Sequence, residues 1–338
     1  SDAVLLRLGL GDEDRAITDA REFSKNYGAA KPSQTAAIAF APTPRTANAS
    51  EAGAFALRTE VFTIEDARAA ADAGTTEIVL DPFLRHPTPP VSRVKALAAE
   101  LSARGIGLRL RTPTIVRPEE RASLDKWIAL DTPLLSGHLG LVAEFGAAGR
   151  DIIADYGVNA FNPRTAEELF ALGARRITAS VELTADEIER LTAPWGGAGF
   201  DVMLHGRPEG MTIEHCTLSA AFDRVVTTCR DLCVQKHTDV ALTDPTGYTF
   251  PVATDSACRN RLLHSRAIEG SEFAPRLWRA GIRGFRLVFN TRGQPVHGIV
   301  TAYRAVLDAL VRGDVPDVSA VRAALGGEFT RGHFARAV

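Results

Sequence analysis

The feature that most constrains the fold is a regular alternation of short apolar runs with helix-patterned segments, beginning at Leu57. The predicted strands are Arg58–Phe62, Glu77–Asp81, Gly107–Arg111, Pro133–Gly137, Asp151–Asp155, Arg176–Ser180, Asp201–His205 and Phe285–Phe289. Eight strands separated by helices predict an α/β fold of the TIM type, a (β/α)8 barrel. An open doubly wound sheet is the alternative. No GxGxxG follows the first strand, so nothing indicates a dinucleotide site.

The segments between these strands carry helical patterns and helix-end signals. The predicted helices are Ile64–Ala73, Val91–Arg104, Glu119–Ala129, Arg164–Leu172, Ala185–Leu191 and Val296–Val311. Thr63 and Thr184 stand where N-caps are needed. Gly74, Gly105 and Gly173 fall at helix ends, where glycine is favoured. The pattern predicts one barrel domain over residues 57–338.

Residues 1–56 differ from the rest of the chain. One amphipathic helix is predicted over Asp12–Tyr27, followed by a stretch rich in Ala, Pro, Thr and Ser that indicates a linker or arm. The sequence begins at Ser1 without Met or a signal-like apolar segment. We therefore expect either a processed chain or a piece of a longer protein.

One connection between predicted barrel strands is much longer than the others. Between the seventh and eighth strands lies an insertion, 206–284, with a predicted hairpin of Asp239–Leu242 and Tyr248–Val252 turned by residues 244–247. A loop that follows a barrel strand emerges at the C-terminal face, where active sites are built. All four cysteines of the chain lie in this insertion, which predicts a functional site there.

The four cysteines have 12, 3 and 24 residues between successive members, at Cys216, Cys229, Cys233 and Cys258. Four thiolates satisfy either tetrahedral zinc or an iron–sulfur cluster. Structural zinc usually uses two close pairs, whereas only Cys229 and Cys233 are close here, so the spacing slightly favours a cluster. Four unrelated buried thiols or a pair of disulfides are the remaining alternatives, and the lack of a secretory signal disfavours disulfides.

Bulk composition excludes little. The chain is 45% hydrophobic and 24% charged, as expected for a globular protein, and no apolar run is long enough to span a bilayer. We therefore expect a cytoplasmic protein. The net charge of −2 gives no general case for nucleic acid. From Cys258 onward, however, thirteen Arg and no Lys face six acidic residues, which indicates either a solvated helical surface or a face for an anionic substrate such as RNA.

Polar residues end several strands and are expected at the barrel mouth. They include Asp81, Arg111, Asp155 with Tyr156, Ser180 with Glu182, and His205 with Arg207. The catalytic candidates are Glu182, His205 and Arg207, since a carboxylate can act as a base and an arginine can pair with a carboxylate or phosphate. The candidate substrate-binding residues are Asn159, Asn162, Ser180 and Arg259. A structural histidine at 205, a surface cap at 182 and a helix-starting Asn162 are the alternatives.

Several segments resemble peptidase family U32. They are residues 201–211 (DVMLHGRPEGM) with Glu214-His215-Cys216, the hairpin 242–252 (LTDPTGYTFPV), residues 261–265 (RLLHS), and the C-terminal 329–334 (FTRGHF). The resemblance extends from Leu57 to the end and is strongest after Phe200.

This resemblance implies a TIM-like barrel whose cysteines bind a 4Fe–4S cluster. It implies oxygen-independent hydroxylation of a pyrimidine in tRNA or ribosomal RNA, with prephenate as the oxygen source, or hydroxylation of the ubiquinone ring by a pair of family members. The closing Thr-Arg-Gly-His is similar to long, multi-domain members. The expected partners are therefore RNA or a small aromatic substrate, and either an N-terminal part of a longer chain or a paired family member.

One departure concerns the cluster ligands. The family's commoner pattern has a Cys seven residues before the position of Cys216, where this chain has Glu209, and Cys229 is the candidate replacement. The older family label is peptidase, but there is no HExxH or GxSxG, and a cysteine nucleophile would need a free thiol beside a histidine, such as Cys216 beside His215. The alternatives to the hydroxylase are a peptidase and a non-catalytic cluster or zinc scaffold.

Overall fold

Eight parallel strands close into a barrel in the computed structural model, which describes residues 55–229 and 231–336. The barrel strands are β1 Ala56–Val61, β2 Glu77–Leu80, β3 Gly107–Arg111, β4 Leu134–Ser136, β5 Ile152–Ala154, β6 Arg176–Thr178, β7 Phe200–Gly206 and β13 Gly284–Val288. Neighbouring strands pair in chain order, and β13 pairs with both β7 and β1. The eight predicted strands and the (β/α)8 barrel are confirmed. The open doubly wound sheet is wrong because β13 closes the circle.

Helices cover the outside of the barrel and the connections between its strands. They are α1 Ile64–Asp72, α2 Val91–Ala103, α3 Arg121–Ile128, α4 Leu139–Ala147, α5 Pro163–Ala171, α6 Ala185–Thr192, α7 Thr217–Ala221, α8 Leu232–Gln235, α9 Ala274–Arg279, α10 Val296–Arg312 and α11 Ser319–Leu325. The hydroxyls of Thr63 and Thr184 accept hydrogen bonds from helix N–H groups, which confirms both predicted N-caps. Helix α4 was not predicted, because two glycines lower its helical propensity.

The insertion between β7 and β13 forms a second sheet. Its strands are β8 Glu209–Ile213, β9 Val240–Thr243, β10 Thr249–Thr254 and β11 Asn260–Leu263, in the antiparallel order β8-β11-β10-β9. The predicted hairpin is confirmed as β9 and β10, with Thr243 opposite Thr249. Two short strands, β12 Ala267–Glu269 and β14 Phe329–Thr330, extend the barrel sheet beside β7.

Gly206 is the residue at which the chain leaves the barrel. Its φ of +126° lies in the region that favours glycine. A Cβ at this position would lie 2.4 Å from the carbonyl oxygen of Val288. Only a residue without a side chain therefore lets β7 pass so close to β13 and turn into the insertion.

The barrel interior contains both paired charges and apolar side chains. At the N-terminal end, Asp201 accepts from Arg58 at 2.9 Å and from Arg176 at 2.8 Å. A middle cluster contains Val79, Leu135 and Ile153. Further buried charges, including Asp81 and Arg111, lie at or just beyond the C-terminal ends of the strands. Paired charges thus fill much of a core that most barrels fill with branched aliphatic side chains.

The helix predicted over Asp12–Tyr27 and nearly all of the predicted N-terminal arm lie outside the described residues. The division into an arm at 1–56 and a domain at 57–338 therefore stays a prediction. Among the described helices, none is both long and apolar enough to cross a bilayer.

Candidate functional site

The four cysteines belong to separate segments of the insertion and lie around one cavity. Cys216 follows β8 and begins α7, where its buried Sγ accepts the N–H of Ser219 at 3.5 Å. Cys233 lies in the short helix α8, and Cys229 lies three residues before that helix. Cys258 lies in the turn between β10 and β11 with a φ of +62°. Local turns, and not one continuous element, therefore set the directions of the thiols.

The turn that holds Cys258 is built by Asp255. The Oδ1 of Asp255 accepts the N–H of Ala257 at 2.9 Å and that of Arg259 at 2.9 Å. The N–H of Cys258 donates to the Asp255 carbonyl at 3.0 Å. An aspartate that caps its own loop in this way stabilises a tight turn and the left-handed residue inside it.

All four cysteines line one cavity of about 70 Å³, which we call the thiol cavity. Its other lining residues are His86, Leu218, Ser219, Asp231, Leu232, Thr254, Asp255 and Ser256. One water needs about 10–15 Å³ of such space. The thiols therefore surround a space large enough for a group of several atoms.

The surroundings of Cys233 and Cys258 disfavour ionisation of these two thiols. Burial, together with the neighbouring Cys216, Cys229 and Cys258, raises the pKa of Cys233 to about 11. Burial and the nearby cysteines also raise the pKa of Cys258. Several thiolates in one place repel each other, so this cavity favours thiolates only together with a cation.

Among the described residues, no three His, Cys, Asp or Glu side chains are arranged to hold a single metal ion. Tetrahedral zinc needs sulfur atoms about 2.3 Å from one point. The four thiols share one cavity, and four thiolates are a donor set that suits either tetrahedral zinc or an iron–sulfur cluster.

His86 is a polar neighbour of the thiols that the sequence patterns did not indicate. Its Nδ1 lies 3.2 Å from the Oγ of Ser256, and its Nε2 lies 3.5 Å from the Oδ1 of Asp231. His86 comes from the loop after β2, whereas its two partners come from the insertion. The histidine therefore links the barrel rim to two of the cysteine-bearing segments.

The strand-end residues Asp81, Arg111 and Asp155 meet at the barrel mouth as predicted from their positions. Arg111 donates from Nη1 to Asp81 at 3.0 Å and from Nε to Asp155 at 3.1 Å. It also contacts Glu60 at 3.5 Å and Glu209 at 2.5 Å. One buried guanidinium thus holds four carboxylates together.

Two further arginines, both missed in the sequence, complete this mouth network. Arg261 of β11 donates to Asp81 at 2.6 Å and to Glu209 at 3.2 Å. Arg286 of β13 pairs with Glu60 and Asp155. The residues of the mouth network are Glu60, Asp81, Arg111, Asp155, Glu209, Arg261 and Arg286. Because Glu209 and Arg261 belong to the insertion, this network attaches the second sheet to the barrel.

Charge pairing decides the ionisation of the network carboxylates. Burial alone would raise the pKa of Asp155, but Arg286 and Arg111 outweigh it and lower that pKa to about 2. Burial dominates at Glu60 and raises its pKa despite the same two arginines. Burial also raises the pKa of Tyr156, next to Asp155. Glu60 therefore protonates more readily than Asp155 or Glu209, whose pKa values are lowered.

Glu209 stands where the family's commoner pattern has a cysteine, and its carboxylate belongs to the mouth network. It does not line the thiol cavity, whereas Cys229 does. The geometry is therefore in line with Cys229 as the replacement for a ligand at 209. That assignment stays a prediction.

The predicted catalytic residues lie apart from the thiol cavity. Glu182 is exposed in the loop after β6. His205 is fully buried, with Nδ1 3.2 Å from the Ile268 carbonyl and its ring between Phe289 and Tyr303. Burial lowers its pKa to about 4. These contacts favour the structural alternative for His205, and the catalytic roles stay predictions.

Arg207, the third predicted catalytic residue, is half-buried. Its Nη1 donates to the carbonyls of His264, at 2.8 Å, and Ser265. The guanidinium therefore already binds the loop between β11 and β12, and a substrate carboxylate or phosphate would compete with two carbonyls.

The predicted substrate-binding residues fall into two places. Asn159 is exposed with a φ of +54°, Asn162 caps α5 by accepting from Thr165, and Ser180 is buried beside Glu182. These three do not line the thiol cavity. Arg259 lies beside Cys258 instead, with Nε 3.0 Å from Asp255 and Nη1 3.1 Å from Glu120. Only Arg259 thus borders the cysteine site.

The arginines of the C-terminal stretch are mostly occupied. Ten of the thirteen form ion pairs with acidic residues: Arg259, Arg261, Arg266, Arg276, Arg286, Arg292, Arg304, Arg312, Arg322 and Arg331. Several acidic partners come from earlier segments, such as Asp186 and Glu189 for Arg276. The excess of positive charge seen in the sequence is therefore largely neutralised in the fold.

The sequence profile of peptidase family U32 matches residues 146–336, which is more than half of the chain. A search of curated proteins gave no match. Among solved structures, the U32 peptidase Mk0906 is 11% identical, with 73% of this chain and 95% of that chain covered and a TM-score of 0.42. Thiamine phosphate pyrophosphorylase from Pyrococcus furiosus is 12% identical, with 82% and 99% covered and a TM-score of 0.39. The pairing of this chain's strands establishes the (β/α)8 barrel.

Proposed function

The chain belongs to peptidase family U32, and from that premise we propose that it is an iron–sulfur enzyme that hydroxylates a base in RNA without molecular oxygen. One observation carries the proposal. Four cysteines from separate segments of one insertion line a single cavity at the C-terminal side of a (β/α)8 barrel. Enzymes of this fold build their active sites on that side.

Cys216, Cys229, Cys233 and Cys258 would hold a 4Fe–4S cluster. Four thiolates are the donor set that such clusters need, and a cluster occupies a space and not a point. The open spacing of the four cysteines in the sequence favours a cluster over zinc. When bound, a cluster supplies one-electron redox chemistry and a positive core that favours the thiolates.

The residues around the thiols have separable roles in this proposal. The mouth network attaches the second sheet to the barrel and so fixes the turn that holds Cys258. His86 keeps Ser256 and Asp231 in place on two sides of the thiol cavity. Glu182 and Arg207, which do not line the thiol cavity, remain the proposed base and anion-binding residue.

The proposed reaction exchanges a C–H bond of the base for a C–OH bond. An organic hydroxyl donor gives up its OH group and receives the hydrogen, so the base is oxidised by two electrons and the donor is reduced by two. Support for RNA as the substrate comes from the family resemblance and not from a basic face, since ten C-terminal arginines are paired.

The test is an anaerobic incubation of cluster-loaded protein with RNA and a hydroxylated organic donor, followed by nucleoside mass spectrometry. We expect one nucleoside to gain one oxygen atom. Cys233→Ala should abolish the product, whereas Ser102→Ala, on the exposed side of α2, should retain it. Product formation by Cys233→Ala would contradict the proposal.

A peptidase is the second candidate, because one observation favours it. Ser256, His86 and Asp231 have the order of a nucleophile, a base and an orienting carboxylate, with contacts of 3.2 and 3.5 Å. Cleavage of a peptide by iron-free protein, lost in Ser256→Ala, would favour this function over the hydroxylase.

Two further alternatives use the same thiols. Hydroxylation of the ubiquinone ring would place a small aromatic substrate in the site, and a scaffold would use the metal group only to hold the insertion in shape. Product analysis separates them, because a scaffold yields no hydroxylated product from either substrate.

We place the enzyme in the cytoplasm. The four cysteines form no disulfide, which agrees with a compartment where thiols stay reduced and can bind a cluster.

A further inference from the structure

A cavity of about 420 Å³ lies at the barrel rim, next to the thiol cavity, and we call it the rim cavity. Its lining residues are Phe83, Pro113, Val116, Glu119, Glu120, Ser123, Leu124, Asp255, Ser256, Ala257 and Arg259. We propose that the rim cavity binds a small planar ligand that has no negative charge and presents N–H groups. The volume lies within the range of about 300–1,000 Å³ that small-molecule sites occupy.

The rim cavity and the thiol cavity share a wall. Asp255 and Ser256 line both cavities, and Ala257 and Arg259 line the rim cavity on either side of Cys258, which lines the thiol cavity. A ligand in the rim cavity would therefore lie one turn of chain away from the cysteines. The shared wall would therefore place a ligand of the rim cavity close to the cysteine site.

The charge of the lining excludes anions. Glu119, Glu120 and Asp255 contribute three carboxylates, and Arg259 contributes one guanidinium. The guanidinium donates to Asp255 at 3.0 Å, to Glu120 at 3.1 Å and to the Ile115 carbonyl at 3.0 Å. Among the described residues, Glu119 has no ion-pair partner. The lining thus has an excess of two negative charges, and the Glu119 carboxylate is the acceptor that these contacts leave for a ligand.

Neighbouring cations do not cancel this charge. Arg117 pairs with Glu214, and Arg121 pairs with Asp125 and Glu144. Neither arginine lines the cavity. A carboxylate or phosphate ligand would therefore meet like charges, which costs affinity, whereas an N–H donor would meet acceptors.

The apolar part of the lining explains the planar shape of the ligand. The Phe83 ring is half-buried and packs edge-to-face on the buried Trp127, with centroids 5.5 Å apart. Phe83 and Leu124 both line the rim cavity, so an aromatic ring held by Trp127 forms part of its wall. An aromatic face of this kind stacks on planar groups and attracts cationic ones.

The inference goes beyond the proposed function and does not depend on a cluster. The proposal also changes the role of Arg259, which the sequence predicts to bind substrate directly. In the rim cavity, Arg259 holds Glu120 and Asp255 in place for the ligand and does not receive an anion.

Titration calorimetry with three matched probes tests the proposal: benzamidine, benzamide and benzoate, which share a ring and differ in charge. We expect benzamidine to bind at micromolar to millimolar concentrations, benzamide more weakly, and benzoate at least about tenfold more weakly than benzamidine. Equal or tighter binding of benzoate, or no heat from benzamidine at millimolar concentration, would overturn the proposal.

Two variants locate the site. Glu119→Gln with Glu120→Gln removes two charges at constant size, and we expect it to reduce the preference for benzamidine over benzoate to about threefold or less. Glu168→Gln removes an exposed charge on α5, away from the cavity, and should leave the preference unchanged. An unchanged preference in the double variant would place the probe elsewhere and contradict the proposal. Iron and sulfide content of the same samples reports separately on the proposed function.

Discussion

Arg111 in the barrel interior meets four carboxylates, whereas Cys233 in the insertion meets three other cysteines. Both groups are surrounded by polar neighbours at the same end of the barrel. In the mouth network, however, positive and negative charges alternate, while the thiol cavity collects groups that can only become negative.

The two regions differ in whether their charged groups compensate each other. The mouth network compensates its own charges, since Arg111, Arg261 and Arg286 face the four carboxylates directly. In the thiol cavity, burial and neighbouring sulfur raise the pKa of Cys233. The network therefore needs no further ion to compensate its charges, whereas the proposed cluster would supply the positive charge that thiolates in the cavity require.

Removal of Arg111 should have the largest effect on stability. Arg111→Met leaves Glu60, Asp81, Asp155 and Glu209 with less compensation inside the barrel. Breaking a buried pair on one side costs about 3–5 kcal/mol. We expect urea unfolding to show a loss of this size, or no folded protein.

The control for Arg111→Met is an exposed pair on the outer helices. Arg68 and Glu100 are in contact at 2.9 Å, with 49% and 36% of their side chains exposed. Arg68→Met should leave the unfolding midpoint essentially unchanged, because exposed pairs contribute little. Equal losses of stability in both variants would show that the buried mouth network contributes no more to stability than an exposed ion pair.

His205 should have an intermediate, pH-dependent effect. Burial lowers its pKa from 6.5 to about 4, so the folded state favours the neutral imidazole. Its contribution to stability is full above about pH 6.5, decreases as the pH falls towards 4, and is constant below that. The decrease amounts to about 3 kcal/mol.

His205→Asn tests this pH dependence, because the asparagine amide can still donate to the Ile268 carbonyl. Unfolding free energies measured from pH 7 to 4 should decrease less steeply in the variant than in the wild type. Identical slopes would show that His205 does not titrate in this range and would reopen a role for its charged form.

Cys233→Ala should have the smallest effect on the stability of metal-free protein. Cys233 is half-buried, and its thiol stays protonated near neutral pH because of its raised pKa. We expect urea unfolding of metal-free wild type and variant to differ by less than about 1 kcal/mol. A large loss would show that the thiols pack as a structural core and would weaken the contrast with the mouth network.

The sequence predicted the barrel well for a physical reason. Short apolar runs and helix caps such as Thr63 and Thr184 are local signals in the sequence. Eight such runs form the eight strands of the closed barrel. The mouth network was predicted only in part. Asp81, Arg111 and Asp155 follow strands and so share one end, but Arg261 is 180 residues from its partner Asp81, and no local pattern records that pairing.

The candidate site shows the same limit. The clustering of cysteines in one insertion is visible in the sequence, whereas His86 lies far from Ser256 and Asp231 along the chain and carries no motif. The arginine-rich C-terminal stretch was misleading as a guide to surface charge. Several of its acidic partners, such as Glu189 for Arg276, lie in earlier segments that only the fold brings close.

Iron and acid-labile sulfide analysis of anaerobically purified protein, with its absorption spectrum, tests the central claim most directly. A shared site for four thiolates predicts about four iron and four sulfide per chain and a broad visible absorption. Both should be lost in Cys216→Ala, Cys229→Ala, Cys233→Ala and Cys258→Ala and retained in Ser102→Ala. A colourless, iron-free wild type, or full iron content in the cysteine variants, would contradict it.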